Sequence, residues 1–483
     1  MEKYYITTPI YYINDKPHIG HAYTTIVADA LARYNRQKGR DVLFLTGTDE
    51  NSQKNISAAE KHYGKENLSK EDVQKYLNDM AGVWRETWKK LNLTNDDFIR
   101  TTEERHVKAV KKFLKLVWDK DDIYKGSYEG YYCEACEAFI KESDLEDGKC
   151  PDHKQEPKKI KEENYFFRLS KYREKLLDYI EKNPDFIMPK SRKNEVVSYI
   201  KDFMEDVSIT REGLKWGITV PEIPGQALYV WFDALINYLS AIGFVDNEKK
   251  FAKYWPVDLH LVGKDIIKFH CALWPAMLLS AELPLPRQVF AHGFFTIDGA
   301  KMSKTLGNVV NPVEVAKKYG NDTLRYYLLR EIPFGEDGDF SIARLEERYN
   351  SDLANGLGNL VSRTFALAEK HFDTLPELQE VDLSGFWKKY EESIGELKLH
   401  NALALVWEEI SKCDIIIDKE KPWELAKTDK DKLEKILGDL LFRIKEITRA
   451  LEAFLPETSE KILGLYEGKG SIKENPLFPR LDK

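Results

Sequence analysis

The chain has few cysteines, no apolar run long enough to cross a membrane and no excess of positive charge. Five cysteines in 483 residues are too few for a disulfide scaffold. The longest nearly apolar run, residues 272–283, is too short to span a bilayer and contains Pro275 and Glu282. A net charge of -8 argues against coating nucleic acid by bulk electrostatics, although a structured RNA can still dock on local basic faces.

Signals for secretion and for two common nucleotide-binding folds are also missing. The first residues lack the basic start and apolar stretch of a signal peptide, which predicts a cytoplasmic protein. No G-x-G-x-x-G follows the first apolar run and no G-x-x-x-x-G-K-[ST] occurs, so a dinucleotide-binding or P-loop protein is disfavoured. The length predicts about three domains.

Two histidines flank a glycine near the N-terminus, in His18-Ile19-Gly20-His21. The motif lies between a strand-like run, residues 4–8, and a helix-like run, residues 22–34. A helix N-terminus attracts phosphate because its first N–H groups are unpaired. The histidines, at i and i+3, face one way and can each donate to a phosphate oxygen, while Gly20 leaves room for a flat ring. Alone, the motif is equally compatible with a loop that carries two solvated histidines.

Apolar strands alternate with helices in the first part of the chain and again after Pro221. This alternation predicts a doubly wound, Rossmann-like parallel sheet in an α/β domain, with ligands at the carboxyl ends of the strands. Asp49 follows a strand predicted over residues 42–45, so we expect it to face the same crevice as His18. The later strands are predicted over residues 229–233, 260–265 and 289–295, the first followed by a helix through Tyr238 and the second by a helix-like run that carries His270 and Trp274.

Between these halves, Cys133-x-x-Cys136 and Cys150-x-x-His153 have the spacing of a zinc site. Two such turns can close a tetrahedral shell around the metal and hold loops that lack a core. The alternative is a set of unpaired buried thiols. The two remaining cysteines, Cys271 and Cys413, are isolated and are predicted to be small core residues.

The last two regions are a glycine-bounded loop and a helical bundle. The loop, residues 298–308, contains Lys301 and Lys304, whose ammonium groups can close on a polyphosphate. From about Asp322 onward no strand is predicted. Residues 342–370, 386–417 and 430–465 have apolar residues at helical spacing and predict a bundle.

Taken together and in this order, His18-Ile19-Gly20-His21 and Lys301-Met302-Ser303-Lys304-Thr305 resemble the motifs of class I aminoacyl-tRNA synthetases. The resemblance covers almost the whole chain, including the cysteine-rich insert and the bundle, and in detail the sequence is similar to the methionyl-tRNA synthetases. Members of the class that use cysteine, valine, leucine or isoleucine differ in the pocket residues.

The resemblance implies a methionine:tRNA ligase that forms methionyl-adenylate from methionine and ATP, then transfers methionine to the terminal ribose of tRNA(Met). It implies that His18 and His21 contact the ATP phosphates, that Gly20 lies under adenine and that Asp265 holds the ribose. Lys301 and Lys304 stabilise the departing pyrophosphate. Magnesium arrives with ATP, and one structural zinc is bound by Cys133, Cys136, Cys150 and His153.

The resemblance also implies where methionine and the anticodon bind. Asp49 pairs with the ammonium group, and Tyr12 and His270 lie nearest the sulfur. In the bundle, Asn359 and Arg363 bond base edges while Trp423 stacks on an unstacked base. The residues expected to line the side-chain pocket are Ile10, Tyr12, Trp231, Ala234, Leu235, Tyr238, Ile266, His270 and Trp274.

The implied domains are a catalytic domain in two halves, residues 1–115 and 222–320, split by a zinc-binding insertion, residues 116–221. A stem-contact junction, residues 321–350, leads to a helical anticodon-binding domain, residues 351–483. The chain lacks the C-terminal extension that makes many relatives dimers, so we expect a monomer, to which a separate chain can supply the tRNA-binding module.

Two positions depart from the family pattern. Asn51-Ser52 stand where His-Gly is usual, with Asn55 where an apolar residue is commoner, and Thr305 replaces the usual serine while keeping the hydroxyl. The first departure affects the loop behind Asp49. It leaves open the alternative that the chain is a synthetase-like RNA-binding protein that has lost catalysis. A zinc-dependent hydrolase is disfavoured because four protein ligands leave no open metal position.

Overall fold

A computed structural model describes residues 1–133, 138–140, 142–151, 154–212, 216–302, 307–469 and 476–481. The chain divides into two compact units. Unit 1 comprises Met1–Pro17, Arg40–Lys89 and Thr94–Ala291, and unit 2 comprises His18–Gly39, Lys90–Leu93 and His292–Lys483.

The described residues form strands β1 (Lys3–Tyr12), β2 (Asp41–Asp49), β3 (Asp97–Arg100), β4 (Ile123–Cys133), β5 (Ala138–Ile140), β6 (Lys158–Phe167), β7 (Ile187–Met188), β8 (Val207–Ser208), β9 (Thr210–Glu212), β10 (Gln226–Leu228), β11 (Leu259–Gly263), β12 (Val289–His292), β13 (Phe295–Ile297), β14 (Ala300–Lys301) and β15 (Gly338–Phe340).

The same residues form helices α1 (Ile19–Gln37), α2 (Gln53–Tyr63), α3 (Lys70–Lys90), α4 (Glu104–Trp118), α5 (Arg173–Lys182), α6 (Lys190–Asp202), α7 (Val230–Ala234), α8 (Asn237–Ser240), α9 (Glu248–Tyr254), α10 (Trp274–Ser280), α11 (Pro312–Tyr319), α12 (Asn321–Arg330), α13 (Ile342–Arg348), α14 (Asn359–His371), α15 (Ser384–Gly395), α16 (Leu399–Glu420), α17 (Pro422–Thr428), α18 (Lys430–Leu451) and α19 (Pro456–Tyr466). Phe269–Leu273 and Tyr349–Gly358 are π-helical.

Unit 1 is built on a six-stranded sheet with the order β3-β2-β1-β11-β12-β7. The β1–β2, β2–β3, β1–β11 and β12–β7 pairs are parallel, and the apolar side chains of the central strands are buried, as strands covered on both faces require. Gly47 permits the close approach of β2 to β3, because a Cβ there would lie 2.1 Å from the carbonyl oxygen of Ile99. The predicted Rossmann-like α/β fold is confirmed.

The first two strands are longer than predicted. β1 continues to Tyr12 and β2 to Asp49, and Tyr12 pairs with Asp49 at the end of the parallel register. Asp49 is therefore the last residue of β2 and does not follow it. Partner strands on both sides of β1 and β2 supply backbone hydrogen bonds that a local apolar pattern does not reveal.

Residues 229–233 were wrongly predicted as a strand, because the apolar run forms helix α7. The Phe232 N–H donates to the Tyr229 carbonyl at 2.9 Å, which closes a helical turn. A short apolar run does not distinguish a buried helix from a buried strand. The strand predicted over residues 289–295 ends at His292, and β13 begins after a break at Gly293, where a Cβ would lie 2.3 Å from the carbonyl oxygen of Glu336.

A four-stranded antiparallel sheet, β5-β4-β6-β8, forms much of the insertion in unit 1. Cys133 ends β4, and Cys150 begins a turn in which its carbonyl accepts the N–H of Lys154 at 2.8 Å. Both cysteines are buried. Cys136 and His153 lie outside the described residues. Cys271 and Cys413 are buried, which confirms their predicted core positions.

Unit 2 contains α1, a small sheet with the order β14-β13-β15 and the helices from α11 onward. The prediction that strands end before Asp322 was wrong, because β15 pairs in parallel with β13. The three predicted helical runs exist but are interrupted. A π-helical segment precedes α14, while residues 396–398 separate α15 from α16 and residues 452–455 separate α18 from α19. Among the described residues, no helix is long and apolar enough to cross a membrane.

Candidate active site

In unit 2, the two histidines of the N-terminal motif begin helix α1. His18 is the N-cap, and its Nδ1 accepts the Gly20 N–H at 3.1 Å. His21 completes a capping box, because its Nδ1 accepts the His18 N–H at 3.2 Å. The rings stack with centroids 3.6 Å apart, so the predicted alignment of the two side chains is confirmed. Since each Nδ1 is an acceptor, the neutral rings carry their proton on Nε2, which is the donor atom.

The motif glycine is constrained by the same cap. A Cβ on Gly20 would lie 3.1 Å from Cε1 of His18 and 3.2 Å from its Nδ1. The α1 N-terminus is also fixed from outside, since the Ile19 N–H donates to the Val310 carbonyl at 3.0 Å. Any side chain at position 20 would crowd the ring that caps the helix.

A buried histidine anchors the second turn of α1. His292 donates from Nδ1 to the Gly293 carbonyl at 2.8 Å, so its Nε2 accepts from the Thr24 hydroxyl at 2.6 Å. Burial lowers the pKa of His292 to about 4, which keeps the ring neutral. The sequence motif gave no sign of this contact, which joins residues far apart in the chain.

Further along α1, a buried ion pair holds the helix. Asp29 Oδ2 accepts from Arg325 of α12 and from Arg33, each at 2.7 Å, and Asp29 and Arg325 are almost fully buried. Arg325 also donates to the carbonyls of Phe454 and Ala453, at 2.7 and 3.0 Å. One guanidinium thus joins α1 to the segment before α19.

Lys301 lies in a β-hairpin in unit 2. Asp298 and Gly299 form its turn with positive φ, the Asp-Gly signature of a type I′ hairpin. Asp339 of β15 accepts the Gly299 N–H at 2.7 Å and the Thr296 hydroxyl at 2.6 Å, and these bonds lower its pKa. Lys301 is exposed in β14. Lys304 lies outside the described residues.

In unit 1, the residues predicted to line the methionine-binding pocket lie in one hydrophobic cluster or pack against it. Leu235, Tyr238 and Trp274 are buried members of this cluster, and Ile10, Trp231 and Ile266 pack against it. Trp231 stacks on Phe269 with centroids 3.9 Å apart and rings 6° from parallel. Ala234 is also buried, whereas Tyr12 is half-buried and has the ammonium of Lys54 4.7 Å from its ring centroid.

His270 and Tyr238 form a neutral pair in this cluster. His270 Nδ1 donates to the Ile266 carbonyl at 3.0 Å, so Nε2 accepts from the Tyr238 hydroxyl at 2.7 Å. Burial lowers the pKa of His270 to about 4 and raises that of Tyr238. A second histidine, His260, was not predicted. It bonds Thr7 through Nδ1 at 2.7 Å, and its ring centroid lies 4.2 Å from that of Tyr238.

Asp49 is buried at the end of β2, and the residues after it are held by side-chain bonds. Glu50 accepts two bonds from Arg100, at 2.7 and 2.9 Å, and is fully buried. Asn55 donates to the Asp49 carbonyl at 2.8 Å, and Ser52 caps α2. Asp265, in contrast, is exposed just after β11.

In the bundle of unit 2, Arg363 and Trp423 come together although they are far apart in the sequence. The Arg363 guanidinium lies 5.8 Å from the Trp423 ring centroid, and Trp423 is 42% exposed at the start of α17. Asn359 begins α14 and Arg363 follows one turn later in the same helix. An exposed indole beside a guanidinium can stack on a nucleic-acid base.

These features agree with a family comparison. The family described as tRNA synthetases class I (M) matches residues 4–159 and 142–365. The fold and the two histidines at the start of α1 thus occur in a chain that matches a class I synthetase over most of its length.

The chain is also similar to curated methionine–tRNA ligases. That of Thermotoga maritima is 46% identical over 99% of this chain and 77% of its own length, and that of Caldanaerobacter subterraneus subsp. tengcongensis is 45% identical over 99% and 79%. A crystal structure of Mycobacterium tuberculosis methionyl-tRNA synthetase bound by methionyl-adenylate is 36% identical, with a TM-score of 0.92, over 99% of this chain and all of that chain. The chain belongs to the methionyl-tRNA synthetase family.

Proposed function

We propose that the chain is an AMP-forming methionine:tRNA ligase that makes methionyl-adenylate and transfers methionine to the 3′-terminal ribose of tRNA(Met). The observation that carries this proposal is the neutral His270–Tyr238 pair within the apolar cluster of unit 1. A thioether is uncharged and polarisable, so aromatic rings and a neutral imidazole suit it. Family membership supports the same reaction.

The methionine site combines this pocket with one buried carboxylate. Asp49, 3% exposed, pairs with the ammonium group of the substrate. The N–H groups of Trp231 and Trp274 are buried without a partner among the described residues, which leaves donors for polar atoms of the ligand. The side-chain pocket is lined by Ile10, Tyr12, Trp231, Ala234, Leu235, Tyr238, Ile266, His270 and Trp274.

The proposed ATP contacts come from the N-terminal histidine motif and from later loops. The Nε2–H groups of His18 and His21 donate to phosphate oxygens, Gly20 lies under adenine, and Asp265 holds the ribose. The methionine carboxylate attacks the α-phosphorus, and pyrophosphate leaves with Mg²⁺ while Lys301 and Lys304 neutralise its charge. A ribose hydroxyl of the tRNA then attacks the acyl carbonyl, and AMP leaves.

A structural zinc completes the insertion. The buried thiols of Cys133 and Cys150 suit a closed zinc site, with Cys136 and His153 as the other ligands. The metal holds these loops together and takes no part in the chemistry. C133S is expected to lose bound zinc, measured by atomic absorption, and C271S is the control because Cys271 is a buried core residue.

The bundle binds the anticodon through Asn359, Arg363 and Trp423. The exposed Trp423 ring beside Arg363 provides a stacking surface, and the amide and guanidinium reach base edges. The proposed domains follow the family pattern. They are two catalytic halves, residues 1–115 and 222–320, an insertion, residues 116–221, a junction, residues 321–350, and an anticodon-binding domain, residues 351–483. We propose a cytoplasmic monomer, and a stable dimer in light scattering would contradict that oligomeric state.

ATP–pyrophosphate exchange tests the first step. Methionine should stimulate exchange more than leucine, isoleucine or cysteine, and charging of tRNA(Met) should follow. Equal stimulation by these amino acids would contradict the methionine specificity. Absence of any aminoacyl-adenylate would favour a synthetase-like RNA-binding protein instead.

A further inference from the structure

The strongest unexplained feature lies where the sequence departs from the family pattern. Asn51 is 6% exposed and donates from its side-chain amide to Oδ2 of Asp233 at 3.0 Å. Its backbone N–H donates to Oδ1 of Asp49 at 3.3 Å. Both contacts lie within unit 1, and Asn51 is thus bonded to two buried carboxyl groups that come from different elements.

Asp233 is placed to influence the methionine pocket. It lies in α7 between Trp231 and Ala234, and it is fully buried. Its Oδ1 has no hydrogen-bond partner among the residues that the structure describes. Its Oδ2 accepts a hydrogen bond from the side-chain amide of Asn51. Because a buried carboxyl needs hydrogen-bond donors, the bond from Asn51 determines the orientation of the Asp233 side chain.

The amide is chemically suited to this position. Asparagine donates without carrying charge, whereas an aspartate at position 51 would place a second carboxyl about 3 Å from the Asp233 carboxyl, whose pKa burial already raises well above its ordinary value. Asn51 also donates weakly to the Thr101 carbonyl at 3.4 Å, and Asn55 holds the Asp49 carbonyl from the other side. The strand end that carries Asp49 is therefore bonded to α7 through one neutral side chain.

We propose that Asn51 is a positioning residue for methionine, because it links the ammonium-binding Asp49 to pocket helix α7 through Asp233. This inference rests on the proposed function, since it takes the roles of Asp49 and Trp231 from there. Asn51 itself does not touch the reacting atoms. Its loss should shift the geometry of the amino-acid site while leaving ATP binding intact.

The test is a reciprocal exchange of the two side chains, measured by ATP–pyrophosphate exchange in the chain of 483 residues. N51D should raise the KM for methionine about tenfold or more while leaving the KM for ATP within about twofold. The double variant N51D/D233N restores an amide–carboxylate bond with the donor reversed and should recover most of the loss. N51A removes the donor without adding charge and keeps the test possible if N51D does not fold.

The control is Q53A, which removes an exposed side chain from the first turn of α2 and should leave both KM values unchanged. An unchanged methionine KM in both N51A and N51D would overturn the proposal. Parallel losses in both KM values and in thermal stability, with no recovery in the double variant, would also overturn it, because they indicate a structural role only. If the wild-type chain shows no methionine-dependent exchange, the proposed function itself fails.

Discussion

The proposed methionine pocket in unit 1 and helix α1 in unit 2 are stabilised by different kinds of buried polar contact. Near the proposed pocket, several buried side-chain bonds have uncharged donors: the His270–Tyr238 pair, the His260–Thr7 bond and the Asn51 amide that donates to the Asp233 carboxyl. Helix α1 is instead held by ions, in the Asp29–Arg325–Arg33 group. Uncharged donors suit an uncharged thioether, and an ion pair shared by three side chains fixes the helix that we propose binds the ATP phosphates.

The largest expected effect comes from breaking the ionic contact of α1. R325A leaves Asp29 buried with one fewer cation and removes donors from two carbonyls, so it should lower the free energy of unfolding by about 3–5 kcal/mol. The measurement is urea denaturation followed by circular dichroism. R344A is the matched control, because Arg344 is half exposed in a long 3.7 Å ion pair and should change stability by less than about 1 kcal/mol. Equal losses of stability in R325A and R344A would contradict the claim that the buried ion pair stabilises the fold more than the exposed one.

The second prediction separates the capping role of His18 from its proposed phosphate contact. Asparagine is a good N-cap and accepts from N2, but it places no donor at the Nε2 position. H18N should therefore keep wild-type stability and lower kcat/KM for ATP–pyrophosphate exchange about 100-fold. H18A should lose the cap as well, at a cost of about 1 kcal/mol in unfolding free energy. Full exchange activity in H18N would show that the ring acts only as a cap.

The third prediction uses pH, because unit 2 also contains a neutral buried histidine, His292. Its folded-state pKa of about 4 lies below the ordinary value of 6.5, so the unfolded chain takes up the proton first as the pH falls. Its contribution to stability is present above pH 6.5 and is lost as the pH falls from there toward 4. Between pH 7 and pH 5 this loss amounts to about 2 kcal/mol.

H292N supplies the comparison for that loss. Asparagine does not titrate, and its amide can replace the donor to the Gly293 carbonyl. The decline in unfolding free energy from pH 7 to pH 5, measured by urea titrations, should be about 2 kcal/mol smaller in H292N than in the wild type. Identical declines would mean that the ring is already protonated or solvated at pH 7.

The smallest expected effect is at the bundle surface, where contacts are exposed. W423A should raise the KM for tRNA about tenfold in the charging reaction, because stacking on one base contributes about 1–3 kcal/mol. ATP–pyrophosphate exchange without tRNA should not change. The control is W387A, since Trp387 also lies in the bundle but is paired with Glu446 through its N–H. A tRNA effect of equal size in W387A would point to general disturbance of the bundle.

Local sequence signals predicted the fold class, the two histidines at a helix start and the helical bundle. They predicted the ends of β1 and β2 poorly, because hydrogen bonds to neighbouring strands extend these two strands. They missed β15 because a three-residue strand has no periodicity of its own. Residues 229–233 were misassigned because an apolar run has the same composition in a buried helix and in a buried strand.

The site contacts were the hardest to predict. Asn51 and Asp233 are separated by 182 residues, and Asp29 and Arg325 by 296, so no local pattern connects them. Residues 298–308 were predicted only as a glycine-bounded loop, and the bond from Gly299 to Asp339 depends on a strand that the pattern did not reveal. Asn51 was visible in the sequence only as a departure from the family pattern, and only the tertiary structure gives it and Asp29 their partners.

The capping box of His18 and His21 has a consequence for the cost of binding a nucleotide. Each Nδ1 is held by a backbone N–H of the first helical turn, so neither ring can turn over without breaking the start of the helix. The donors on the opposite nitrogen are thereby preorganised before any ligand arrives. Little rotational entropy is then lost when a phosphate binds, because the secondary structure has already fixed the direction of both N–H bonds.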